Sequence, residues 1–166
     1  AFRGSNMNEQ DWKSMIRFLE VLPRSGDKEL TLLKAHLVIE EVLTQILAKN
    51  CINIKYLNDA KLQFHQKVKL VRAFNQIHRS EWVWQALHLL NKARNQLSHN
   101  LTDQEIQNKM QEFTDYVALN KGELFEPEAN GKFSDFHMAA FATYIPLAAY
   151  SNFEPKAVSL LTEKNA

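Results

Sequence analysis

Four glycines and four prolines are all that interrupt 166 residues, and between them apolar side chains recur every three or four positions. That combination admits few folds. A sheet protein of this size needs turn-formers every 8–12 residues or so. Long stretches with helical periodicity and few breakers make helices, and helices with one apolar face must pack on each other. The sequence therefore predicts an all-α protein, a bundle of five to six helices joined by short links. With 45% hydrophobic and 23% charged residues the chain can bury a substantial core and is not of the disordered class.

Glu9 to Leu22 reads as the first helix, with Trp12, Ile16 and Leu19 at helical spacing and Met15 and Phe18 beside them. Pro23 and Gly26 end it. Asp27 is placed to cap a second helix over Lys28 to Asn50. Here Ala35, Ile39, Val42 and Ile46 form one apolar stripe and Leu30, Leu33 and Leu37 a second, which predicts a helix central to the bundle. His36 and Glu40 interrupt the second stripe one turn apart. Glu40 falls where an apolar residue would continue the pattern, so its carboxylate must lie at the edge of the core or pair with a cation.

Cys51 to Leu57 reads as a connection, and Asn58 as a cap for a short turn. A third helix follows near Gln63 to Gln76, burying Phe64, Val68, Val71 and Phe74, with Lys61, Lys67, Lys69 and Arg72 as a solvated basic face. Ser80 opens a fourth helix from Glu81 to about Leu97. Its buried face is Ala86, Leu90, Ala93 and Leu97, and Trp82 and Trp84 read as packing anchors. Thr102-Asp103-Gln104-Glu105 is a capping box for a fifth helix whose apolar face is Ile106, Met110, Phe113 and Val117, with Tyr116 close by. A loop from Gly122 to Gly131 contains Pro127. Ser134 then caps a sixth helix through about Ser151, buried through Phe136, Ala140, Phe141, Tyr144 and Leu147, and kinked or interrupted at Pro146. The tail carries a small apolar cluster at Val158, Leu160 and Leu161. Met7 to Ala166 reads as a single helical domain, and Ala1 to Asn6 as foreign residues ahead of a native start.

A net charge of +1 gives no bulk attraction to nucleic acid, so RNA or DNA binding would need a local cluster. The single cysteine, Cys51, cannot close an intrachain disulfide, which fits a reducing cytoplasm. The longest apolar run, Met138 to Tyr150, is too short to span a bilayer. Glycine-rich phosphate loops, Cys-x-x-Cys, His-Glu-x-x-His and Gly-x-Ser-x-Gly are absent. The six histidines lack metal-ligand spacing, so neither metal nor cofactor is expected, and His137 reads as a surface-edge residue.

One stretch carries chemistry. The outer edge of the fourth helix is polar, with His88, Asn91, Asn95 and His99 in line and Arg94 and Ser98 beside them. Arginine presents a planar fork of donors to a phosphate. Histidine can exchange a proton near neutral pH, and a helix C-terminus favours its cation. Asn95 lies one turn before His99 and can orient it, while Asn91 and Ser98 add donors. Such a set suits cleavage of a phosphodiester: one group deprotonates a ribose 2′-hydroxyl and a cation holds the phosphate charge. The spacing alone is unspecific, because Arg72 and His78 repeat it among packing residues.

Arg94-Asn95-Gln96-Leu97-Ser98-His99 resembles the Arg-x(4–6)-His motif of the HEPN superfamily, including the asparagine after the arginine. Ala35-His36-Leu37-Val38-Ile39-Glu40-Glu41-Val42-Leu43 is similar to the acidic helix that packs beside that motif. The likeness covers Lys28 to Asn120, leaving Lys121 to Ala166 as a C-terminal helical extension. The chain is also similar to the mannitol operon repressor family. The resemblance implies a helical bundle that dimerises and, in catalytic members, a metal-independent endoribonuclease site composed from two copies. Arg94 would then bind the scissile phosphate, His99 act as base or acid, Asn95 position them and Glu40 anchor Arg94. It also implies a toxin or defence role with a cognate antitoxin as partner. The alternative is a non-catalytic regulatory or protein-interaction module of the same fold, in which these residues serve an interface. A third reading makes Arg94 and His99 plain stabilisers of a helix C-terminus.

Overall fold

The computed structural model describes residues 9–23, 26–74, 81–99, 102–122 and 134–152, without the side chains of 10–12, 14, 15, 19 and 152. Among the described residues every regular element is helical: α1 (Glu9–Val21), α2 (Lys28–Lys49), α3 (Ile54–Asp59), α4 (Phe64–Phe74), α5 (Trp82–Gln96), α6 (Asp103–Asn120) and α7 (Asp135–Asn152). A 3-10 turn, Leu97–His99, tightens the end of α5. No helix among these residues is long and apolar enough to cross a membrane. The side chains of Trp12, Met15 and Leu19, the residues Ser80 and His78, the loop around Pro127 and the tail cluster at Val158, Leu160 and Leu161 lie outside the described residues.

The helix starts follow local chemistry. Asp27 Oδ1 accepts from the backbone N–H groups of Glu29 (2.9 Å) and Leu30 (3.2 Å), leaving fewer orphan donors at the start of α2. At α6 the Glu105 carboxylate accepts from the Thr102 backbone N–H (3.0 Å) and hydroxyl (3.1 Å), the capping box expected there.

α2 packs against α4, α5 and α7, and α5 packs against α4, α6 and α7. The core runs between them through the predicted faces: Ala35, Ile39, Val42 and Ile46 of α2, Ala86, Leu90 and Ala93 of α5, and Ile106, Met110, Phe113 and Val117 of α6 are all buried. Phe18 of α1 closes one end against Phe141 and Tyr144 of α7, with ring centroids 5.7 and 4.8 Å away. α7 continues through Pro146 without interruption.

Four expectations need correcting. The second α2 stripe is not buried: Leu30, Leu33 and Leu37 are 41%, 42% and 63% exposed, so α2 contributes one face to the core. The segment read as a connection runs into α3 (from Ile54), a six-residue helix with no fully buried residue and too short for its Ile54/Leu57 spacing to stand out. Phe74 is 49% exposed, because α4 buries fully only Phe64 and Val71, with Val68 partly buried against the core. His137, expected at a surface edge, is buried: its Nε2 lies 2.7 Å from the Pro23 carbonyl oxygen and its Nδ1 2.7 Å from Ser134 Oγ. The ring donates Nε2–H to the carbonyl and accepts the serine hydroxyl at Nδ1, tying the start of α7 to the link between α1 and α2.

Candidate functional site

The polar edge of α5 forms because its apolar residues face inward. With Ala86, Leu90 and Ala93 in the core, His88, Asn91 and Asn95 share the outer face at i, i+3 and i+7. α2 lies antiparallel to this edge. His36 meets Asn91, while Lys28 at the start of α2 reaches Gln107 near the start of α6, just beyond the end of α5. α4 runs parallel to α2, with Phe64 on His36 and Lys67 on Glu40.

His36 is the hub of this arrangement. Its ring stacks on Phe64 with centroids 4.1 Å apart and planes 28° apart. Burial pushes its pKa down, helped by the charges of Arg94 and Lys67 and opposed by the Asn91 hydrogen bond and the Glu40 charge. The ring is therefore neutral near pH 7. It donates Nε2–H to Asn91 Oδ1 at 3.1 Å and leaves Nδ1 4.0 Å from Glu40, too far for a hydrogen bond.

Glu40 does not hold Arg94. Its carboxylate pairs with Lys67 Nζ at 2.8 Å, both side chains being mostly covered. The register explains this: counting back from the His36–Asn91 contact, antiparallel packing sets Arg94 level with Leu33, nearly two turns from Glu40, while α4 delivers Lys67 directly. Arg94 is half-buried, and its one hydrogen bond among the described residues is a long one, 3.5 Å, from Nη1 to Asn95 Oδ1. Among the described residues no carboxylate pairs with it.

Asn95, Ser98 and His99 are exposed. The structure brings Asn91, Arg94 and Asn95 onto neighbouring positions of one edge, but it does not gather Arg94 and His99 on one face. Five residues of α and 3-10 winding turn them roughly 140–180° apart about the axis. The decoy position Arg72 pairs with Glu81, whose other carboxylate oxygen accepts Trp84 Nε1–H at 3.1 Å.

Sequence reasoning missed two features here. His36 and Lys67 looked like an interruption and a solvated charge, yet they fix Asn91 and Glu40. The i, i+4 pair His36/Glu40 on an otherwise apolar helix was the available signal. The second feature is a cleft of about 450 Å³ between α4 and α5, which runs up to Asn91. A second cavity of about 350 Å³ lies beside His137, between Lys28 of α2, Gln107 and Gln111 of α6, and the start of α7. Among the described residues no group of three His, Cys, Asp or Glu side chains is arranged to hold a metal ion. No family model matches the chain, and neither the curated proteins nor the solved structures contain a significant match to it.

Proposed function

We propose that this chain is a HEPN-like metal-independent endoribonuclease of the toxin or defence type, acting as a homodimer with a composite site. The observation that carries the reading is Arg94: a half-buried guanidinium with no counter-ion among the described residues, flanked by Asn95, near the end of the helix that His99 follows. An uncompensated arginine there is ready for a phosphate oxyanion. His99 takes the proton of a ribose 2′-hydroxyl, and the 2′ oxygen attacks phosphorus. The 5′ oxygen of the next nucleotide leaves with a proton from the same residue of the second copy, and a 2′,3′-cyclic phosphate remains. Arg94 and His99 diverge within one chain, so a second copy is needed to bring an arginine and a histidine to one phosphate.

The test is cleavage of single-stranded RNA in EDTA. Wild type should produce cyclic phosphate ends, and His99→Ala and Arg94→Ala should each lower the rate by at least about a hundredfold. Equal inactivity of wild type and both variants on varied RNAs, with no inhibitor bound, would sink the proposal.

The second reading, a non-catalytic regulatory or interaction module related to the mannitol operon repressor family, is favoured by the exposed leucines of α2. It expects Arg94→Ala to weaken association with a partner while wild type shows no RNA turnover.

A further inference from the structure

We propose that the cleft between α4 and α5 is a binding site for a small amphiphilic carboxylate, a compact apolar body carrying one carboxylate head. Its volume of about 450 Å³ is within the range of small-molecule sites. Phe64, Val68, Trp84 and Leu87 line it with apolar surface. Their contribution is shape and burial, which suits a hydrocarbon or aromatic body.

The charge around that lining is one-sided. Among the described residues Glu81 is the sole acidic one lining the cleft, and it is engaged by Arg72 and by the Trp84 indole N–H. Lys69, His65 and His88 are exposed on the facing helices and line the same cleft, and none of the three has an acidic partner among the described residues. The unspent charge is thus cationic. At the far end His36 holds Asn91 by its Oδ1, so the amide NH2 is what Asn91 has left to offer a ligand. That polar atom is fixed before any ligand arrives, which lowers the ordering cost of binding.

A carboxylate fits this set better than a phosphate ester. Among the described residues the one arginine lining the cleft, Arg72, has its charge paired with Glu81, so its guanidinium is less available to a phosphate dianion, while an ammonium and an amide suit a monoanion. The site does not depend on RNA turnover. Failure of the ribonuclease test would leave it standing, and the reverse holds too.

The experiment is calorimetric titration of the full chain with phenylbutyrate, naphthoate and octanoate, against their uncharged amides, inorganic phosphate and adenosine monophosphate. At least one carboxylate should bind saturably at one site per chain, roughly tenfold or more tighter than its amide. Lys69→Glu, which reverses the free charge, and Gln85→Trp, which fills the opening from an exposed position, should each weaken it by at least about tenfold. Circular dichroism should show both variants fully helical. The proposal is overturned by no saturable carboxylate binding, by unchanged binding in both folded variants, or by tighter binding of phosphate or the nucleotide.

Discussion

His36 is a buried imidazole that the fold keeps neutral, and this has a pH consequence with a definite sign. Its folded pKa is lowered, chiefly by burial, so below the ordinary histidine value of about 6.5 the unfolded chain binds more protons than the folded one. Stability from this group is complete above that pH and declines as pH falls through the window below it, at most by about 1.4 kcal/mol per pH unit for one proton. Thermal melts between pH 7.5 and 5 (a range of about 2.5 units around that value) should show a falling Tm in wild type and a shallower fall in His36→Gln. Equal slopes would show that His36 is not the group responsible. At this scale the sequence was legible wherever one helix decides the outcome. The exposure of Asn95, Ser98 and His99 follows from the burial of Ala86, Leu90 and Ala93. The partners of His36 and Glu40 were not legible, because spacing within α2 says nothing about which side chains α4 and α5 deliver.

Helix boundaries were well marked where capping chemistry marks them. Asp27 starts α2 and Thr102 precedes α6, both where the sequence places them. Glu105→Ala removes the acceptor of two hydrogen bonds at the start of α6 and should cost about 1 kcal/mol. That corresponds to roughly 2–4 °C in Tm for a chain of this size; an unchanged Tm would mean water replaces the carboxylate at no cost. Apolar periodicity was a poorer guide where a stripe exists without a partner. Leu30, Leu33 and Leu37 have the spacing of a core face, and α3 offers only the single Ile54/Leu57 pair over six residues, so one was read as buried and the other as no helix. The same limit hid His137, whose burial depends on a contact to Pro23, distant in sequence.

For the whole molecule, the all-helical class followed from sparse breakers and recurring apolar faces, while the exposed leucines of α2 raise the question of assembly. They lie between two ion pairs, Arg17–Glu41 on the α1 side and Lys67–Glu40 on the α4 side, and Leu33 is level with Arg94. A second copy seated there would cover apolar surface and bring two Arg94 edges close together. Light scattering should therefore find a dimer that Leu33→Glu/Leu37→Glu converts to a folded monomer. A monomeric wild type at high concentration would remove the composite site from consideration. The unequal anchoring of the helices has a further effect. α3 has no buried side chain and α4 only two, whereas α2, α5 and α6 are stitched into the core along their length. Amides of α3 and α4 can thus exchange with solvent through a local opening that leaves the rest folded. Hydrogen exchange should therefore find the amides of α4, held mainly by the Phe64–His36 stack and the Lys67–Glu40 pair, less protected than those of α2 and α5, and equal protection would show that this wall of the cleft opens only with the whole fold.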